Sequence, residues 1–153
     1  MKIRDASLDD VPQMSGFLRE LTASGKRTSP DDETFVRANY IEDPDRVRCS
    51  VAERDGEVLG FQSLKRAQVG NPWGVEPGWG IVGTHIRPSA ARQGVGRTLF
   101  AATQVAAHNA GLRHIDATIA ADNPEALAYY EAMGFRTYRT PEGRISKRFD
   151  VAR

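Results

Sequence analysis

A short loop ahead of a helical stretch carries the residues with the clearest chemical meaning in this chain of 153 residues. An apolar segment ends at Ile86-Arg87-Pro88, and Gly94-Val95-Gly96 then opens an amphipathic stretch. Glycines allow a ligand close to the backbone, and a helix begins with unpaired N–H groups at the positive end of its dipole. Arg92 and Arg97 add positive charge, and Arg87 is a further candidate. The loop therefore predicts a site for the phosphate oxygens of a pyrophosphate.

Two other phosphate-binding loops do not fit these residues. A P-loop requires glycine and lysine followed by serine or threonine, and no such triplet occurs in the chain. A dinucleotide fingerprint requires a third glycine, but Gly94 and Gly96 are followed by Leu99 at that position. The pyrophosphate therefore belongs to another kind of ligand.

Length and composition predict one globular domain over residues 1–153. With 40% hydrophobic residues, 27% charged residues and a net charge of +1, no overall field would attract nucleic acid or a membrane surface. Cys49 is the single cysteine, which excludes an internal disulfide and suits a reducing compartment. It is interpreted as a small buried residue rather than a nucleophile. The polar N-terminal residues do not resemble a signal peptide, so we expect a cytoplasmic protein with no membrane partner.

The elements that must position the loop alternate between strand and helix. Helix caps, the Asp55-Gly56 hairpin signal and hydrophobic periodicity predict strands over 2–6, 47–53, 58–65, 79–87, 114–120, 135–139 and 145–151, and helices over 8–21, 30–41, 94–110 and 124–133. This order predicts a mixed α/β fold with helices on both faces of one sheet. The third helix is expected to bury Val95, Leu99, Ala102, Val105 and Ala106. The basic residues Arg144, Lys147, Arg148 and Arg153 are expected to form a solvated face.

A second motif follows the loop by about thirty residues. It runs from Asn123 through Ala126 and Tyr130 to Gly134-Phe135. The loop and this motif together resemble the GNAT N-acetyltransferase superfamily, over nearly the whole chain. One position departs from the family pattern, since Ala91 stands where the loop usually has glutamine or arginine. Backbone N–H groups supply much of the grip in such loops, and Arg92 and Gln93 could supply side-chain contacts instead.

The resemblance implies a GNAT-like, mostly antiparallel twisted sheet of six to seven strands flanked by about four helices. It implies acetyl-CoA as the cosubstrate and no metal. The pantetheine arm would lie where the fourth strand splays from the fifth, along the main chain of Thr84, His85 and Ile86. The residues that would bind the pyrophosphate and the neighbouring parts of the coenzyme are Arg92, Gln93, Gly94, Val95, Gly96, Arg97 and Asn123. Asn123 is also a helix cap, and capping alone would account for it.

Tyr130 matches the family tyrosine near the coenzyme sulfur. A phenol can protonate a departing thiolate, so Tyr130 is the predicted general acid, with Tyr129 expected to pack. No general base is predicted. Some relatives carry a glutamate at the position of Gly80, while Glu76 and His85 stay open alternatives; for His85 the alternative is simple packing in the strand.

The acceptor site is expected between the early helices and the loop of residues 70–78. Trp73, Trp79 and Glu76 would suit an ammonium group, with the acidic group Asp31-Asp32-Glu33 nearby. The same tryptophans could equally pack on the sheet, and the acids could cap a helix.

The resemblance implies an acetyl-CoA-dependent N-acetyltransferase in which a primary amine attacks the thioester directly. A small amine, such as an amino acid, is favoured over a protein amine. The alternative is a non-catalytic acyl-CoA-binding or regulatory domain. A nucleic-acid-binding module is disfavoured because no basic–aromatic repeat is present. A homodimer is an open alternative, since such domains often pair.

Overall fold

The computed structural model describes residues 1–152, which form one sheet of seven strands with helices on both faces. The strands are β1 (Lys2–Asp5), β2 (Arg46–Arg54), β3 (Glu57–Arg66), β4 (Gly80–Ile86), β5 (His114–Ala120), β6 (Arg136–Arg139) and β7 (Arg144–Asp150). The helices are α1 (Val11–Ala23), α2 (Glu33–Val36), α3 (Val95–Asn109) and α4 (Pro124–Met133). A 3₁₀ turn, Leu8–Asp10, precedes α1, another spans Pro88–Ala90, and a π turn, Arg37–Ile41, continues α2.

The sheet divides where β4 meets β5. The strand order is β1-β2-β3-β4-β5-β7-β6, and the β4–β5 pair is parallel while the other pairs are antiparallel. The register of β4 and β5 holds only Gly80 opposite Ile115 and Ile81 opposite Asp116. Beyond these two rungs the strands separate, although β4 continues to Ile86. The predicted fold class and the splay of these two strands are therefore confirmed.

Side-chain alternation gives β4 two different faces. Val82 belongs to a core cluster with Phe100 of α3, and Thr84 contacts α4. The His85 ring instead packs on Phe61, which shares a cluster with α1. Odd-numbered residues of β4 therefore face α1 and α2, and even-numbered residues face α3 and α4.

The buried stripe of α3 differs from the predicted one. Val95 and Leu99 are buried as expected, and Ala102 and Ala106 are half-buried. Val105 is 61% exposed, so its predicted burial is wrong. The buried face follows steps of four residues and also includes Phe100, Thr103 and Ala107. Thr103 is buried because its hydroxyl donates to Gln62 of β3, a contact that an apolar pattern does not reveal.

The predicted basic face at the end of the sequence is wrong at one residue. Arg144 and Arg148 are exposed, but Lys147 is buried. Its Nζ lies 2.7 Å from Glu131 Oε2 and donates to Thr137 Oγ1 at 3.1 Å. A buried ammonium needs such partners. Arg153 lies outside the described residues.

Candidate functional site

The gap between β4 and β5 adjoins the beginning of α3 and one side of α4. The even-numbered residue Thr84 faces the gap side of α4, and its Oγ1 lies 2.8 Å from Tyr130 Oη. Tyr129 reaches α3 in the same way, since its hydroxyl donates to the Gly96 carbonyl at 2.8 Å. The structure thus brings together Thr84, Gly96 and Tyr130, which are far apart in sequence.

The glycine loop ends in a backbone conformation that favours glycine. Gly94 is the N-cap residue of α3 with φ 78°, and a Cβ placed on it would meet no atom within 4 Å. No side chain caps the helix, so the first N–H groups of α3 are available to a ligand. Arg92 also has a positive φ, 63°, and its side chain is exposed. The loop therefore offers open space, unpaired donors and positive charge.

Two of the polar side chains near the glycine loop, those of Gln93 and Arg97, lie at the loop, whereas the side chain of Arg87 lies against the sheet. Arg97 is exposed beside Tyr129. The Oε1 of Gln93 accepts a hydrogen bond from Arg54 Nη1 at 3.2 Å. Arg87 does not join them. Its Nε donates to the Val58 carbonyl at 2.9 Å, and it lines a cavity of about 500 Å³ beside α1. The suggestion that Arg87 adds charge at the loop is therefore wrong.

Gly96 is required by a neighbouring side chain rather than by its backbone angle. A Cβ on Gly96 would lie 2.6 Å from Cε1 and 3.1 Å from Cζ of Tyr129. Tyr129 therefore packs closely against the first turn of α3, as its predicted packing role requires.

A buried amide organises the hydroxyl groups of the site. Gln62 is fully buried on β3, and its Nε2 donates to Thr84 Oγ1 at 2.9 Å and to Tyr129 Oη at 3.0 Å. Its Oε1 accepts from Thr103. The tyrosine hydroxyls are thus fixed through Gln62, which sequence reasoning missed. A polar residue within the predicted strand 58–65 was the available signal.

Tyr130 keeps its proton over a wide pH range. The side chain is 5% exposed, and burial raises its pKa above the ordinary value near 10, against the opposing effect of the Thr84 hydrogen bond. The phenol is therefore neutral at physiological pH, and its raised pKa makes it a weaker acid than a solvent-exposed tyrosine.

His85 is poorly suited to accept a proton. Its ring centroid lies 4.7 Å from that of Phe61 and 5.7 Å from that of Tyr40. Burial, with a further contribution from the charge of Arg27, lowers its pKa to about 3. A group with this pKa is neutral and weakly basic at neutral pH, which agrees with the packing interpretation. Ile86 packs on the cluster that holds Val95 and Leu99.

Asn123 acts as a cap in this structure. Its Oδ1 accepts from the Ala126 N–H at 3.1 Å, at the start of α4. The amide nitrogen retains its two donors. Asn123 can therefore cap α4 and still contact a ligand.

The two tryptophans of the predicted acceptor site lie on the face of the sheet opposite α3. Trp73 is 40% exposed and packs with Lys65, whose Nζ is 5.8 Å from the ring centroid. The Trp79 ring lies 4.9 Å from that of His114 and 5.5 Å from that of Tyr138. Glu76 is exposed in the loop. Asp32 of the acidic group caps α2, accepting from the Phe35 N–H at 3.1 Å.

A buried carboxylate on β5 was missed by sequence reasoning. Asp116 is fully buried and accepts from Tyr138 Oη at 2.5 Å and from Thr118 Oγ1 at 2.8 Å. Burial raises its pKa, and the two hydroxyl donors oppose this shift. An acidic residue in the middle of the apolar stretch 114–120 was the signal.

The remaining candidate chemistry is limited. Cys49 is buried, and burial raises the pKa of its thiol to about 12, so it is a poor nucleophile. Within residues 1–152, no three His, Cys, Asp or Glu side chains are grouped as metal ligands would be. No helix in this part of the chain combines the length and apolarity needed to cross a membrane.

Residues 14–135 match the Acetyltransferase (GNAT) family. An alignment of 101 positions, which covers 59% of this chain, has 34% identity to mycothiol acetyltransferase from Streptomyces avermitilis. That alignment spans only 27% of the length of the Streptomyces protein.

Solved structures share the fold. A GCN5-related N-acetyltransferase from Kribbella flavida has a TM-score of 0.81 at 23% identity, with 98% of this chain and 97% of that chain covered. A putative acetyltransferase from Salmonella typhimurium, solved with its cofactor acetyl-CoA, has a TM-score of 0.77 at 17% identity, with 99% and 94% covered.

Proposed function

Because the chain belongs to the GNAT acetyltransferase family, we propose that it transfers an acetyl group from acetyl-CoA to a primary amine. Both substrates would be bound together, and the amine would attack the thioester directly. The observation that carries this proposal is the parting of β4 and β5 after two rungs, beside the uncapped start of α3 and the Tyr130 hydroxyl.

The coenzyme would bind across this gap. Main-chain groups of Thr84, His85 and Ile86 on the open edge of β4 would bond the pantetheine arm. The pyrophosphate would lie against residues 92–97, where the first N–H groups of α3 point outward. Open space at Gly94 fits a close approach of this group, and Ala91 removes no backbone donor. Asn123 would contribute its amide nitrogen.

The chemistry requires three contributions from the chain. Backbone N–H groups on the open edge of β4 would stabilise the oxyanion that forms when the amine nitrogen attacks the carbonyl carbon. As the C–S bond breaks, the thiolate would take the proton of Tyr130. The acylated nitrogen would release its extra proton to solvent, and the Tyr130 phenolate would regain a proton from solvent. A positioned acid contributes about 10²–10⁴-fold to such a rate. Thr84 and Gln62 would hold the Tyr130 hydroxyl in place.

The acceptor would approach from the face that carries Trp73, Glu76 and Trp79. We favour a small amine over a protein amine, because tryptophan rings and a carboxylate suit a compact ammonium group. A reducing, cytoplasmic compartment suits the buried, unpaired Cys49.

Calorimetry with acetyl-CoA, followed by an assay of thiol release with a panel of amines, tests this function. Gly94→Glu places bulk and negative charge in the loop and should abolish binding. Gly111→Glu is the matched control, since Gly111 also has a positive φ and open surroundings but lies beyond the other end of α3. Equal affinities of the two variants would overturn the loop assignment. Binding without thiol release from any amine would favour the non-catalytic acyl-CoA-binding domain.

A further inference from the structure

An acidic side chain of β5, Asp116, lies where β4 and β5 separate, on the face of the sheet opposite α3. Asp116 is the cross-strand partner of Ile81, at the last rung before the strands separate. The preceding residue of β4, Gly80, could not carry an acid there. A Cβ on Gly80 would lie 2.9 Å from Leu64 Cδ1 and 3.0 Å from Leu112 Cδ1, in the core beneath α3. The carboxylate at this level therefore comes from β5.

Asp116 is connected to the surface through one side chain. Asp116 is 0% exposed, whereas Tyr138, which donates to it, is 36% exposed. Thr118 satisfies the other carboxylate oxygen and also bonds Ser146 Oγ at 2.8 Å. A molecule arriving at this face can reach Tyr138 but cannot touch Asp116, so a proton could enter the carboxylate only through the phenol.

The other charged or titratable groups around Asp116 do not neutralise it by contact. Arg139 of β6 acts at a distance, because its Nη atoms donate to the carbonyls of Trp73 and Gly74 at 2.8 and 3.1 Å. On β7, Arg148 bonds Asp150 at 3.0 Å, and His114 of β5 bonds the same carboxylate at 2.8 Å. The charge of Asp116 also contributes to the raised pKa of Tyr130 of α4, which lies on the opposite face of the sheet.

Building on the proposed function, we propose that Tyr138 and Asp116 form a proton relay for a cationic primary amine. Thr84 is three residues beyond Ile81, about 10 Å along β4, so a chain of two or three waters, each about 2.8 Å from the next, would join the amine to Tyr138. An N–H bond of the ammonium breaks as the nearest water accepts its proton, the last water gives a proton to Tyr138 Oη, and the phenol gives its own to Asp116 Oδ2. The products are a neutral amine and a protonated carboxyl group, which later releases its proton to solvent.

This relay and Tyr130 lie on opposite faces of the gap. The amine loses its proton on the face of Asp116 and attacks the carbonyl carbon. The thiolate then departs toward the face of Tyr130 and takes the phenolic proton there. The two tyrosines therefore have separate tasks, and removal of each hydroxyl should have a different dependence on the amine.

Two amines of the same shape separate a relay from a structural role. Phenethylamine is protonated at neutral pH, and its ring can stack on Trp79. The amino group of 2,2-difluoro-2-phenylethylamine is largely neutral at the same pH, because the fluorines withdraw electrons from it. For phenethylamine at pH 7, Asp116→Asn and Tyr138→Phe should each lower kcat/KM by about 10²-fold. Both losses should shrink as the pH rises toward the pKa of the amine. The difluoro amine needs no base, and its kcat/KM should change little. Asp150→Asn, which removes an exposed carboxylate, is the matched control.

Each result has a definite meaning. Equal losses for the two amines, or no loss in either variant, would overturn the relay. If Asp116→Asn does not fold, the half-exposed Tyr138→Phe gives the same comparison. A wild-type protein that binds acetyl-CoA but acetylates neither amine would overturn the relay and leave the proposed function standing. A wild-type protein that does not bind acetyl-CoA would instead refute the proposed function.

Discussion

The contact between Gly96 and the Tyr129 ring predicts a stability change that depends on both residues. In Gly96→Ala, the new methyl group would start 2.6 Å from Tyr129 Cε1, whereas ordinary contacts begin near 3.4 Å. The ring must therefore move by about 0.8 Å. Its hydroxyl is held by the Gly96 carbonyl at 2.8 Å and by Gln62 at 3.0 Å, so the movement strains or breaks these hydrogen bonds.

The expected loss of stability is about 1–5 kcal/mol. Overpacking a dense interior costs about 1–3 kcal/mol, and each weakened hydrogen bond adds about 0.5–1.5 kcal/mol. The higher helix propensity of alanine offsets up to about 1 kcal/mol. For a chain of this size the melting temperature should fall by about 2–4 °C for each kcal/mol.

A double-mutant cycle measured by urea unfolding isolates the contact. Gly96→Ala should destabilise the wild-type chain but be neutral or stabilising in a Tyr129→Ala background, where the ring is absent. Gly94→Ala is the control, because its cost of about 1–2 kcal/mol comes from the left-handed backbone conformation and should be the same in both backgrounds. If Gly96→Ala cost the same with and without the ring, the stated reason for this glycine would be refuted.

Two further predictions concern groups with shifted pKa values. Tyr130→Phe should lower kcat by about 10²–10⁴-fold with no change in the acetyl-CoA affinity measured by calorimetry; unchanged turnover would remove Tyr130 from the proposed step. The ion pair with Arg4, at 2.8 Å, lowers the pKa of buried Asp10 below its ordinary 3.8. This stabilisation is present above pH 3.8 and lost as the pH falls through the folded-state pKa. Urea unfolding of Asp10→Asn between pH 2 and 6 should therefore show lower stability near neutrality and a weaker acid dependence than wild type, and parallel curves would contradict this account.

Local signals predicted the elements whose ends are fixed by neighbouring residues. Asn123 as cap, Pro124 at the first helical position and Gly134 after the last turn predict α4 over 124–133, which is its observed extent. Asp55-Gly56 likewise lies at the turn between β2 and β3. Caps and tight turns are properties of a few adjacent residues, so the sequence alone can show them.

The partners within the candidate site depend on pairing between distant strands, which local patterns do not encode. The second motif singles out Tyr130, but no neighbouring residue in the sequence indicates that Thr84 bonds its hydroxyl or that Gln62 in turn bonds Thr84. In the same way, Asp116 has meaning only once β5 lies beside β4 and Tyr138 reaches over β7. The buried stripe of α3 was misjudged for a related reason, since the strand that α3 covers determines its inner face.

The two-rung junction divides the hydrogen bonding of the sheet into two parts. Strands β1 to β4 form one lobe and strands β5 to β7 form the other; besides the short junction, they are joined by the packing of Phe100 of α3 on Phe135 and Phe149 and by the contact between Thr84 and Tyr130. Any molecule bound in that gap would contact both lobes and restrict their movement relative to each other. Its occupancy should therefore slow amide hydrogen exchange in both lobes together rather than only beside the contact.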